Sequence, residues 1–133
     1  MVGIIQLLGR IMLALIFILA GIGKIIDPAG TSSYMESMGV NGMLLWPVVA
    51  LEILGGIALI VGYKTALVAF ALALFSIAAA VIFHSNFGDK MQMVLFLKNI
   101  AMAGGLLLLA VGGTTAYSID SKKKNANFFS TRL

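Results

Sequence analysis

Three ionisable residues occupy positions that lipid would reject: Arg10, Glu52 and Lys98. Each lies inside a long apolar stretch. A charge near the centre of a bilayer costs about 2.5–3.5 kcal/mol on insertion scales, so such a residue turns into the bundle and finds a partner. Asn99, Gln92 and His84 add hydrogen-bonding groups, and Lys24 adds a cation at the end of the first stretch. These types allow ion pairing, hydrogen bonds to the acceptors of a lipophilic ligand such as a quinone, and proton exchange at His84 near neutral pH. The chain has no cysteine and one histidine. Thiolate chemistry, disulfides and Cys-ligated clusters are therefore excluded, and so is bis-His haem within one chain. No catalytic residue, metal site or resident cofactor is assigned.

Heights follow from the rise of a helix. At about 1.5 Å per residue, Arg10, Glu52 and Lys98 stand at roughly one third, one half and two thirds of the membrane thickness. One carboxylate would lie between two long, snorkelling cations. The spacing predicts an Arg10–Glu52–Lys98 network inside the bundle. The three/four periodicity puts Arg10, Ala14, Phe17, Gly21 and Lys24 on one stripe. Glu52, Gly55, Gly56, Leu59 and Tyr63 share a second. Ala69, Ala73, Ser76, Ala80 and His84 share a third, and Lys98, Met102, Gly105 and Leu109 a fourth. Small residues beside each polar group let helices approach closely in lipid. A buried ionic network can equally serve only to fix helix register.

The elements that must carry these residues are four apolar stretches, roughly residues 3–23, 44–63, 65–84 and 92–112. A spanning helix needs about 20 residues. Hydrophobic residues make up 61% of the chain and charged ones 11%, against about 25% charged in soluble domains. The runs do not alternate as barrel strands do. The expected fold is all-α, an antiparallel bundle of four transmembrane helices over residues 1–120, with a polar, basic tail over 121–133. The first stretch has signal-peptide length, but the three spans that follow favour its retention.

Pro28 ends the first span, since it disfavours helix at Asp27. Ser33 and Glu36 form a candidate capping pair for a short interfacial helix over about 32–38, stopped at Gly39. Gly62 to Thr65 make a tight hairpin. Trp46 and Tyr34 suit one aromatic belt and Tyr63 the other. The side of the termini holds Lys64, Lys122, Lys123, Lys124 and Arg132, which places both termini in the cytoplasm by the positive-inside rule. These tail cations suit anionic lipid headgroups rather than nucleic acid. The tail from Ser118 is read as mobile, with Phe128 and Phe129 touching the membrane surface.

At these residues the chain resembles the DoxX family of small bacterial inner-membrane proteins. The resemblance rests on Leu8-Gly9-Arg10, Ala20-Gly21-Ile22-Gly23-Lys24, Asp27-Pro28, Leu51-Glu52-Ile53-Leu54-Gly55-Gly56, Phe83-His84, Phe96-Leu97-Lys98-Asn99-Ile100-Ala101 and Ser118-Ile119-Asp120. It covers about residues 5–120. It implies a four-helix bacterial inner-membrane protein whose charged positions form the family's pattern. The family takes its name from a subunit of a thiosulfate:quinone oxidoreductase, and other relatives are linked to oxidative-stress assemblies. The sulfur-oxidation role does not carry over, because this chain contains no separate catalytic domain.

Three functional readings follow. The leading one is a non-enzymatic membrane subunit that binds a partner, a lipid or a quinone. The second is a quinone-linked redox subunit receiving electrons from an oxidoreductase partner. The third is a transporter of small solutes or ions, which with four short spans would work as a homo-oligomer.

Overall fold

A computed structural model describes the backbone of residues 1–130 and the side chains of residues 1–125. The expectations placed on Phe128, Phe129 and Arg132 lie outside those described side chains. The chain forms α1 (Val2–Ile26), α2 (Pro28–Ser37), a 3-10 turn (Gly42–Leu44), α3 (Leu45–Val61), α4 (Thr65–Phe83), α5 (Lys90–Val111) and α6 (Ile119–Ser130). Four segments are long and apolar enough to cross a membrane: Val2–Ile26, Gly42–Val61, Thr65–Phe83 and Lys90–Val111. They are the four expected spans, with ends shifted by a few residues.

The bundle is two helix pairs set side by side. α1 packs along α3 and α4 along α5, while α3 meets α4 more sparingly and α1 barely touches α5. The starts of α1 and α6 lie at one end, here called the terminal end. The α2 segment and the α4–α5 connection lie at the other, the distal end. The expected stripes set the α1–α3 contact. Arg10, Ala14, Phe17 and Gly21 are the buried residues of α1, and Glu52, Gly55, Gly56 and Leu59 are among those of α3. A Cβ on Gly21 would strike Ile53, and one on Gly56 would strike Ile18. The missing side chains therefore set how closely the two helices approach.

The core joins both pairs through Ala14, Phe17, Leu59, Leu72, Ala73 and Leu106. In α4 the expected stripe is buried at Ala69, Ala73, Ser76 and Ala80. In α5 it is rotated by about one residue. Ala103 and Leu106 are buried, whereas Met102 and Leu109 are half-buried and Lys98 is exposed. α5 is apolar on nearly every side, so its sequence gives weak guidance on which face turns inward.

Two local expectations are corrected. The interfacial helix starts at Pro28, not near Ser32. Asp27 is its N-cap and accepts from the Gly30 amide at 3.0 Å, with Pro28 in the first turn. An Asp N-cap followed by Pro is a stronger start than the Ser33/Glu36 pair. The tail after Ser118 is helical to Ser130. The Ser118 hydroxyl accepts from the Ser121 amide at 3.1 Å and so caps the start of α6.

Candidate functional site

Helix geometry decides which charges meet. Every Cα–Cβ bond of a helix tilts toward that helix's N-terminus. α1 begins at the terminal end, so Arg10 leans toward the termini and Lys24 leans from the distal end into the bundle. α3 and α5 begin at the distal end, so Glu52 and Lys98 both lean that way. Glu52 accordingly meets Lys24. The Lys24 Nζ lies 2.9 Å from Glu52 Oε1 and donates to Oε2 at 3.2 Å. The Glu52 side chain is only 2% exposed, against 25% for Lys24.

The three-charge network is therefore corrected: the structure does not bring Arg10 to Glu52. Arg10 is 1% exposed. It donates to the carbonyls of Leu59 at 3.4 Å, Ala116 at 2.9 Å and Tyr117 at 2.7 Å. It fastens the segment after α5 to the ends of α1 and α3.

The other expected residues do converge. Lys24, Glu52, His84, Lys98 and Asn99 line a cleft of about 570 Å³ between the two helix pairs at the distal end. Its remaining wall is largely apolar, with Phe17, Phe75 and Ile82 among its surfaces. The His84 Nδ1 is 2.9 Å from Gln92 Oε1. An amide oxygen only accepts, so this contact is a hydrogen bond when Nδ1 carries the proton. Asn99 gives one amide hydrogen to the Leu95 carbonyl at 3.1 Å and keeps its other donor and its oxygen. Among the described residues, Lys98 has no ion-pair partner within the chain. Polar groups thus line one apolar cleft, a form shared by small-molecule sites.

Two features named in the sequence take roles that it did not announce. The first is α2, which covers the distal end. Its Thr31, Tyr34 and Met35 line the cleft, and Tyr34 stacks on Phe83 at 5.6 Å between ring centroids. The Asp27-Pro28 start signalled a helix long enough to reach back across the bundle. The second is Asp120. Its carboxylate accepts from the Lys64 and Thr65 amides at 2.9 and 2.8 Å, and its own amide donates to the Gly62 carbonyl at 2.9 Å. It caps α4 from across the fold. Burial pushes the Asp120 carboxyl up, but the Thr65 and Lys64 amides and the charge of Lys123 outweigh it and hold it below the ordinary value. Among the described residues, no cluster of His, Cys, Asp or Glu could hold a metal ion.

Comparison with known proteins adds a second line. The sequence model of the DoxX family matches residues 5–85. The inner membrane protein YqjF of Escherichia coli (strain K12) is 46% identical over 114 residues, which are 86% of this chain and 88% of the relative. The inner membrane protein YphA of the same organism is 33% identical over 126 residues, 90% of each chain. No solved structure matches significantly. The family match spans α1 to the end of α4, and the relatives extend the likeness over most of α5. By that match and these relatives, the chain belongs to the DoxX family.

Proposed function

We propose that this chain is a non-enzymatic binding subunit of the inner membrane. Its distal cleft takes a lipophilic molecule that carries hydrogen-bond acceptors at one end, of the quinone or lipid class. The observation that carries this reading is the gathering of Lys98, Asn99, His84 and the Lys24–Glu52 pair around one apolar cleft of about 570 Å³. Lys98 and Asn99 supply the donors. The aromatic and aliphatic walls suit a ring or chain. The Lys24–Glu52 pair is internally neutralised, so Lys98 leaves the cleft with a net positive charge.

The quinone-linked redox reading uses the same donors and takes its electrons from a partner oxidoreductase. A transporter in which Glu52 exchanges partners between Arg10 and Lys98 is disfavoured, because Glu52 pairs with Lys24 and Arg10 donates to backbone carbonyls. We place both termini in the cytoplasm. Lys64, Lys122, Lys123 and Lys124 all belong to the terminal end, and Lys123 sits 4.9 Å from the Tyr63 ring centroid.

The test is extraction of the chain purified in mild detergent, followed by mass spectrometry of its lipophilic content. A quinone or one lipid species enriched toward one per chain, and lost in Ala79→Phe, which fills the distal cleft, supports the reading. A content that mirrors the bulk membrane contradicts it.

A further inference from the structure

A second cleft lies at the terminal end. It measures about 290 Å³ and is lined by Gln6, Arg10 and Leu13 of α1, by Leu108 and Leu109 of α5, and by Thr115. Two of its polar atoms have no partner. The Arg10 Nε and the Thr115 hydroxyl are buried with no hydrogen-bond partner in the chain, and the residues are 1% and 8% exposed. Orphaned buried donors are rare, and each points to an acceptor from elsewhere. The charge has no contact partner either. The Arg10 hydrogen bonds go to neutral carbonyls, and Asp120, whose carboxylate accepts from the Lys64 and Thr65 amides, acts on Arg10 only through its field. A buried cation without a direct counter-ion is a costly arrangement.

The position indicates the kind of anion. The guanidinium reaches the level of Gly62, where a Cβ would collide with it. It has snorkelled to the end of α3, close to the level where headgroups begin. Beside the cleft, Leu108 is 73% exposed, so the site borders the lipid-facing surface. Gln6 uses its Oε1 to accept from the Ala116 amide at 3.2 Å, which leaves its amide hydrogens to donate.

We propose that this cleft binds the phosphodiester of one anionic phospholipid from the leaflet facing the termini, with Arg10, Thr115 and Gln6 as donors. Leu13, Leu108 and Leu109 pack against the start of its acyl chains. The lysines of α6 sit at the same end and raise the local concentration of anionic lipid.

The test is native mass spectrometry of the delipidated full chain, with phosphatidylglycerol and phosphatidylcholine supplied separately at equal concentration. Wild type should retain one phosphatidylglycerol and hold phosphatidylcholine less well, because choline sets a second cation beside the Arg10 charge that the phosphodiester would answer. Thr115→Val should weaken phosphatidylglycerol about tenfold, the loss of one hydrogen bond to a charged group. Its lipid-free thermal stability should match or exceed that of wild type, because the hydroxyl has no partner within the chain to lose. Ala79→Phe, in the distal cleft, should retain the lipid. Equal retention of the two lipids overturns the proposal, and so does binding unchanged by Thr115→Val. Loss of the lipid in Ala79→Phe would assign it to the distal cleft and overturns the proposal. Inorganic phosphate that stabilises the chain as well as phosphatidylglycerol does overturns the lipid assignment.

Discussion

The two residues of the Lys24–Glu52 pair are not equivalent. Glu52 is sealed within the α1–α3 contact, while Lys24 keeps a quarter of its side chain exposed. Removing the lysine strands a buried carboxylate. Removing the carboxylate leaves a lysine that can extend toward the distal surface. Lys24→Met should therefore cost about 3 kcal/mol or more, and Glu52→Gln about 1–2 kcal/mol. The double variant should be more stable than Lys24→Met alone. Thermal unfolding in detergent checks the order, and equal single-variant losses would contradict it. At this scale the sequence was informative about which residues are buried and less so about their partners. Heights counted from Cα positions put Arg10 within reach of Glu52. The tilt of side chains along each helix sends the two apart, and it becomes usable only once each helix's direction is known.

At the scale of elements, the segment from Thr115 to Asp120 closes the terminal end by supplying a carboxylate acceptor for the first amides of α4, whose N-cap residue is Lys64. An Asp cap is worth about 0.5–2 kcal/mol. The Asp120 carboxyl is held below its ordinary value in the folded chain, chiefly by the Thr65 and Lys64 amides acting against burial. Its contribution is therefore complete above its unfolded value of about 3.9 and is lost as pH falls through the lower folded value. The stability gap between wild type and Asp120→Asn should be constant from pH 7 to pH 5 and shrink below about pH 4, measured by thermal unfolding. A gap that does not change over that range would remove Asp120 as an ionised cap. The spans and the stripes of α1, α3 and α4 were legible because Gly and Ala recur at helical spacing beside each polar group. The inward face of α5 was not, since its apolar residues surround the helix. The cap was hidden because it joins residues 55 and 56 positions apart.

At the scale of the whole molecule, four spans bring both termini to one end. The chain has no cysteine, so single cysteines can report topology without background. Met43→Cys, at a residue 81% exposed near the distal end, should react with a membrane-impermeant maleimide in intact spheroplasts. Asn125→Cys on α6 should react only after permeabilisation, and the reverse pattern would contradict cytoplasmic termini. The two-pair packing of the bundle also explains why the candidate site was readable only in part. Lys98, Asn99, His84 and Glu52 were each visible as polar residues in apolar helices. The opening between the pairs, and the α2 cover above it, depend on contacts that no single stretch encodes.

On the proposed function, the distal cleft holds a lipophilic ligand by its polar end. The most direct measurement is the amount of extractable quinone or enriched lipid per chain in wild type, Lys98→Met and Ala79→Phe, each confirmed folded by thermal unfolding. Lys98→Met removes the cation that faces the cleft, and Ala79→Phe fills the cleft with a ring. Close to one distal-cleft ligand per chain is expected in wild type, apart from any phospholipid at the terminal end, with a loss of about tenfold or more in both variants, the latter figure corresponding to one charge-assisted hydrogen bond. Equal ligand content in all three folded proteins would contradict it.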